Sequence, residues 1–194
     1  MIIAIDGPSA AGKGTLARAV AKHLGYHFLD TGSLYRMVGL SVLRGAADPV
    51  AAARSLNPAE FNDADLRDEK VAQAASKMAA LPEVRQALLE FQRNFAQKKP
   101  GAVLDGRDIG TVICPNADFK FYVTASVQAR AARRFKELEG TGVTLEDITE
   151  DIKTRDERDA KQSQMADDAI LIDTSELEAD EVLREVIKII KGDI

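Results

Sequence analysis

Residues Gly7 to Thr15 read GPSAAGKGT, directly after MIIAID. The spacing matches a phosphate-cradling turn, G-x-x-x-x-G-K-[ST], except at its last place, where Gly14 stands and Thr15 follows. Gly7 and Gly12 let backbone N–H groups approach phosphate oxygens, with Pro8, Ser9, Ala10 and Ala11 making the turn between them. The helix that follows points its positive end at the same anion. Lys13 supplies a mobile positive charge for the outer phosphates. Thr15, one helical position on, can turn its hydroxyl to the phosphates or to a metal-bound water. The expected chemistry is triphosphate binding. No N-K-x-D stretch is present to read guanine, so the expected nucleotide is ATP.

Four further clusters could act on an acceptor. LDTGSLYR (29–36) offers Asp30, Thr31 and Ser33, then Tyr35 and Arg36 one turn into a helix. Arg36 could fork a phosphate or be a solvated helix arginine. VLDGRDIGT (103–111) brings Asp105 to the carboxyl end of a strand, where an acid near magnesium would sit. Gly106 and Gly110 let the chain bend close to a ligand. Arg107 and Asp108 enter the same crevice, or form a surface ion pair. SVQARAARRFKEL carries Arg130, Arg133 and Arg134 on one helical face, either solvated or a clamp for a moving phosphoryl group. In TRDERDAKQ (154–162), Arg155 and Asp159 lie one turn apart. They make a local ion pair, or hold a ribose hydroxyl and a phosphate.

Phosphoryl transfer asks little covalent chemistry of a protein. It needs two phosphates brought end to end, their charge cancelled and water kept out. An acceptor that is already an ionised phosphate needs no general base, and no Ser-His-Asp set is visible. His23, His27 and Cys114 read as structural residues.

The elements that must position these groups follow from apolar patterning. Short runs at 2–5, 27–29, 102–104, 119–123 and 169–172 read as strands. Helical patterns at 16–24 and 33–45 lie between the early ones, and 179–190 closes the chain. Strands alternating with helices imply an α/β fold with a parallel sheet covered on both faces, its ligands at the carboxyl ends of the strands. Residues 46–99 read as a helical substrate-side insert and 126–165 as a charged helical lid. That leaves about 1–45, 100–125 and 166–194 as the core of a single domain. With 194 residues, 45% of them hydrophobic and 29% charged, the chain suits one such domain. A net charge of -5 argues against a nucleic-acid surface. One cysteine and no long apolar run suit a cytoplasmic protein away from membranes.

GPSAAGKGT, LDTGSLYR, NDADLRDEKVAQAAS, PEVRQALL, LDGRDIGTVICPNAD and RDERD follow one another in the order and spacing of bacterial cytidylate kinases. The chain resembles that family over nearly its whole length, and GKGT resembles nucleoside monophosphate kinases generally. The resemblance implies a P-loop three-layer α/β/α fold with a five-stranded parallel sheet, a helical insert that binds the monophosphate, and a helical lid. It implies transfer of the ATP γ-phosphate to CMP or dCMP, with Mg2+ near Thr15 and, through water, Asp105. It also implies that Ser76 and Asp108 accept from the cytosine amino group while Arg85 donates to the ring. Arg36 and Arg107 would hold the acceptor phosphate, and Arg155 and Asp159 the sugar. The expected partners are small molecules only, and the expected state is a monomer. Two departures stand out. Gln162 replaces an arginine common in the family, with Lys161 beside it, and KQSQMADDA is shortened. The insert after residue 50 is also short, so helices should replace any β-rich substrate domain. Another small P-loop kinase and a non-catalytic ATP switch are the competing readings.

Overall fold

The computed structural model describes all residues except 67, 139, 141, 161, 193 and 194. It divides into two compact units, one of Met1–Leu29 with Lys98–Ile194 and one of Asp30–Gln97.

The first unit is built on a parallel sheet. Its strands are β1 (Ile2–Asp6), β2 (His27–Asp30), β3 (Ala102–Gly106), β4 (Phe119–Thr124) and β5 (Ile170–Asp173), in the order β2-β3-β1-β4-β5. Each lies within two residues of its expected place. IIAID forms the middle strand because four of its five side chains are buried, as a sheet covered on both faces requires. β1 pairs with β3 from Ile2↔Ala102 to Asp6↔Gly106, and with β4 from Ile3↔Phe119 to Asp6↔Tyr122. This register brings the carboxyl ends of all three strands together, and with them Asp6, Asp105 and the phosphate turn.

The main core packs Ile3, Ile5, Val103, Phe121 and Val123 of the sheet against helix α1 (Lys13–Leu24) and the C-terminal helix (Ala179–Lys191). Each such buried aliphatic side chain contributes roughly 1.5–3 kcal/mol. Helix α1 ends where expected: Gly25 adopts φ 68°, and the Tyr26 N–H donates to Ala21 O at 2.9 Å.

The second unit is helical. It holds α2 (Thr31–Leu43), α3 (Pro49–Arg54), a 3-10 turn (Pro58–Glu60), α4 (Asp63–Leu66), α5 (Glu69–Ala79) and α6 (Pro82–Ala96). The sequence reading placed α2 with the core, whereas the compact units place it with the insert. The cause is close packing of α2 on α5: a Cβ at Gly39 would lie 2.8 Å from Ala75 N.

Two more helices of the first unit, α7 (Val127–Glu137) and α8 (Leu145–Asp159), precede the C-terminal helix, which is α9. They pack through Ala131, Ile148 and Ile152. No helix among the described residues is long and apolar enough to cross a membrane.

Candidate nucleotide-binding site

The phosphate turn begins where only glycine fits. Gly7 has φ 144°, and a Cβ there would sit 1.9 Å from Val123 O. Ala10 (φ 59°) and Gly12 (φ 88°) are also left-handed, which curls the backbone into an anion-binding nest. The carbonyls of the turn are held by donors. Gly7 O accepts from Arg107 Nη1 at 2.8 Å, and Pro8 O from Lys13 Nζ at 2.8 Å. Ser9 O accepts from Arg130 Nη1 at 3.1 Å, Ala11 O from Thr174 Oγ1 at 3.1 Å, and Gly12 O from Leu16 N at 3.0 Å. In a planar trans peptide the N–H points opposite to its C=O. The N–H groups of Ser9, Ala10, Gly12 and Lys13 are thereby directed away from those donors, toward the head of α1, where an anion is favoured.

The same neighbourhood explains why Gly14 interrupts the usual pattern. A Cβ there would lie 3.1 Å from Asp105 Oδ2, so even a small side chain crowds the buried carboxylate. The next hydroxyl along the chain, that of Thr15, is exposed in the first turn of α1. Asp105 and Thr15 offer the hard oxygen donors that Mg2+ takes. No group of three or more His, Cys, Asp or Glu able to hold a metal occurs among the described residues. That donor set fits a cation bound largely through nucleotide phosphates, with one or two protein oxygens and waters.

Asp6 was missed by sequence reasoning. It is buried, and its carboxylate accepts from Ile109 N at 2.8 Å and Gly110 N at 2.7 Å. Burial pushes its pKa up to about 6, against the two N–H groups and Lys13, which favour the ionised form; the nearby Asp108 charge pushes the same way as burial. The only sequence signal was an acidic residue closing an apolar strand beside the turn.

Arg107 spans two expected features. Besides Gly7 O, its Nη2 meets Asp159 Oδ2 at 3.0 Å. Asp159 also receives Arg158 Nε at 3.4 Å, whereas Arg155 pairs with Asp151 at 2.8 Å. Asp159 thus meets Arg107 from another element, while Arg155 meets Asp151 one turn behind it.

The three α7 arginines, three and four apart on one helix, each meet a different partner. Arg130 is buried, donates Nε to Ala125 O at 3.0 Å, and grips Asp156 through two bonds of 2.9 and 2.6 Å. Arg133 donates to Thr174 Oγ1 at 3.0 Å and to the Thr174 carbonyl. Arg134 pairs with Glu137 at 2.9 Å on the exposed side. Each guanidinium has its own acceptor, so mutual repulsion is relieved without a ligand.

The segment after α8 is tied to β4. Tyr122 Oη donates to Ser163 O at 2.9 Å, and Lys120 Nζ meets both Asp168 oxygens at 2.8 and 2.7 Å. The Lys120 hydrogen bond holds the Asp168 carboxyl below its ordinary pKa. Gln162 N donates to Asp159 O at 2.9 Å, while Lys161 lies outside the described residues.

In the second unit, Asp30 caps α2 by accepting from Ser33 N at 3.2 Å, and Ser33 Oγ donates to Asp30 O at 2.6 Å. Tyr35 is buried with the Arg85 guanidinium 5.8 Å from its ring centroid. Arg85 Nη1 reaches Ala79 O at 3.4 Å, Arg36 Nη1 donates to Leu66 O at 2.8 Å, and Ser76 Oγ to Ala72 O at 3.1 Å. All five expected acceptor-side residues of this unit are part-buried or buried on its helices.

A model of the cytidylate kinase family matches residues 3–63 and 52–192. The chain is 51% identical to a cytidylate kinase of Paramagnetospirillum magneticum, covering 97% of each chain. It is 53% identical to one of Cereibacter sphaeroides, covering 97% of this chain and 94% of that one. A shikimate kinase from Bacteroides thetaiotaomicron has a similar structure, with TM-score 0.54, 14% identity and 98% of each chain covered. A Eubacterium ventriosum protein superposes with TM-score 0.62 at 14% identity, again over 98% of each chain. These two likenesses show the fold.

Proposed function

The chain belongs to the cytidylate kinase family, and on that premise we propose that it transfers the γ-phosphoryl group of ATP to CMP and dCMP. The observation that carries this reading is the phosphate turn, whose carbonyls are drawn onto Arg107, Lys13, Arg130 and Thr174. A turn so oriented takes the tail of a triphosphate without rearranging its backbone.

In the reaction an oxygen of the acceptor phosphate bonds to the γ-phosphorus. The bond from that phosphorus to the β–γ bridging oxygen breaks, and ADP leaves with the electron pair. The acceptor phosphate is already ionised, so no base is required. Lys13 exchanges Pro8 O for the β- and γ-phosphates. Arg107 exchanges Gly7 O for phosphate oxygens, and Arg130, Arg133 and Arg134 offset charge on the moving group. Thr15 and, through water, Asp105 would hold Mg2+, which would supply further charge compensation. Arg36 takes the acceptor phosphate with Arg107, while Arg155 and Asp159 take the sugar. Ser33 and Tyr35 line the acceptor side.

Base choice rests on Ser76, Arg85 and Asp108. Cytosine presents an amino donor where uracil presents a carbonyl acceptor. A buried carboxylate facing uracil there leaves two acceptors opposed, at a cost of roughly 1–3 kcal/mol. The test is an acceptor panel of CMP, dCMP, UMP, AMP and shikimate with ATP, read by ADP release. CMP and dCMP should be preferred, with UMP at least tenfold poorer in kcat/KM. Turnover of AMP or shikimate without CMP would overturn the assignment.

A further inference from the structure

Asp108 flanks a five-residue π-helical turn, Ile109–Ile113, whose first N–H groups need acceptors. An aspartate in that place ordinarily caps its own helix. Elsewhere in this chain it does so: Asp30 accepts from Ser33 N, Asp48 from Val50 N and Asp68 from Lys70 N. Asp108 makes no such cap bond. The N–H groups of Ile109 and Gly110 go instead to the two carboxylate oxygens of Asp6, more than a hundred residues earlier. The Asp108 carbonyl does serve the turn, accepting from Val112 N at 2.9 Å and Ile113 N at 3.1 Å.

Asp6 is well held for this task. It ends the middle strand, in register with Gly106 on one side and Tyr122 on the other, and is 5% exposed. The carboxylate lies against Gly110, where a Cβ would be at contact distance, 3.4 Å, from Asp6 Oδ2 and a little tighter, 3.2 Å, against Lys120 Cδ. Asp6 also precedes Gly7, whose carbonyl receives Arg107. One carboxylate therefore anchors the backbone just after Arg107 and Asp108 and just before the phosphate turn.

We infer that Asp6 is a positioning residue for acceptor choice: it caps the turn after Asp108 in place of Asp108, which keeps that carboxylate out of its own turn and directed to the cytosine amino group. The inference rests on the reading of Asp108 as the base-recognising acid. Without Asp6, the side chain of Asp108 can fold back onto Gly110 N, two residues on, as Asp48 and Asp68 do onto Val50 N and Lys70 N.

The test compares Asp6→Asn, Asp108→Ala and the double variant, each assayed with CMP and UMP at varied ATP. Asn keeps the shape but offers one accepting oxygen and turns an NH2 toward a backbone N–H. Asp6→Asn should lower the CMP/UMP ratio of kcat/KM roughly tenfold, with KM for ATP changed less than about twofold. In the Asp108→Ala background the same change should lower the ratio no further. An unchanged ratio in Asp6→Asn, or additive losses in the double variant, would overturn the inference while Asp108→Ala still lowers the ratio. An unchanged ratio in Asp108→Ala would instead remove the reading beneath it. Should Asp6→Asn fail to fold, amide hydrogen exchange on the wild type decides. Slow exchange at Ile109 and Gly110 supports the cap, and exchange at the rate of an open chain overturns it.

Discussion

At the residue scale, the phosphate turn is an arrangement of backbone, and its side chains act by holding that backbone in one orientation. Gly7 is the least replaceable of them. Gly7→Ala would drive a Cβ into Val123 O at 1.9 Å, against strand backbone that cannot give way. We expect a loss of more than about 4 kcal/mol, seen as failure to fold or a collapse of the thermal midpoint. Lys13→Ala makes the opposite kind of change. The lysine is part-exposed and bonded to Pro8 O at 2.8 Å, so its loss should leave circular dichroism and the melting temperature nearly unchanged. Turnover should fall by about a thousandfold or more, since a charge on the transferring phosphates is gone. Retained activity in that variant would count against the turn as the donor site. Gly14 was legible as a departure from pattern, but its reason was not. Asp105, whose carboxylate crowds the position, is 91 residues away in the chain and reaches it only through β1–β3 pairing.

At the element scale, helices α7 and α8 are joined by one guanidinium. Arg130 is 3% exposed and binds Asp156 through both oxygens while also touching Ser9 O of the phosphate turn. Removing its partner leaves a buried cation with fewer acceptors. Asp156 keeps some contact with water, so the cost of Asp156→Ala is set below that of a fully buried pair, at about 2 kcal/mol. In urea denaturation the midpoint should move down by about 1 M. A midpoint within 0.2 M of wild type, roughly the scatter of the method, would show the pair to be energetically idle. The spacing of Arg130, Arg133 and Arg134 marked a helix and its shared side, but not that Arg130 would be buried against Asp156 while Arg134 pairs with Glu137 on the exposed side. Helical periodicity says which residues share a side, and only packing says which of that side is interior. The pattern at 16–24 located the end of α1 well, because the Gly25 cap acts within a turn of the residue that causes it.

At the scale of the whole molecule, Asp6 couples protonation to folding. Its carboxyl has a pKa of about 6 in the folded chain against 3.8 ordinarily, so the native state binds the proton more tightly. The associated stability is fully present below about pH 3.8 and is lost as pH rises through about 6, an amount of ~3 kcal/mol at 1.36 kcal/mol per unit. Asp147, Asp168 and Asp173 are shifted down and trend the other way, so the comparison must be a difference. Urea denaturation of wild type and Asp6→Asn at pH 4.5, 5.5 and 7 should show the wild type losing ground to the variant as pH rises. A constant difference would mean that Asp6 titrates normally. The sequence by itself determined the order of strands and helices, the triphosphate turn and the kinship of the chain, because those are written in contiguous residues and short-range periodicity. Tertiary structure alone decided that α2 packs with the insert, that Asp159 meets Arg107, that Asp156 meets Arg130, and that Asp6 caps a turn beyond Asp108. Those pairings depend on sheet register and on which charged groups burial brings within about 3 Å of each other, and residues far apart along the chain carry no local mark of it.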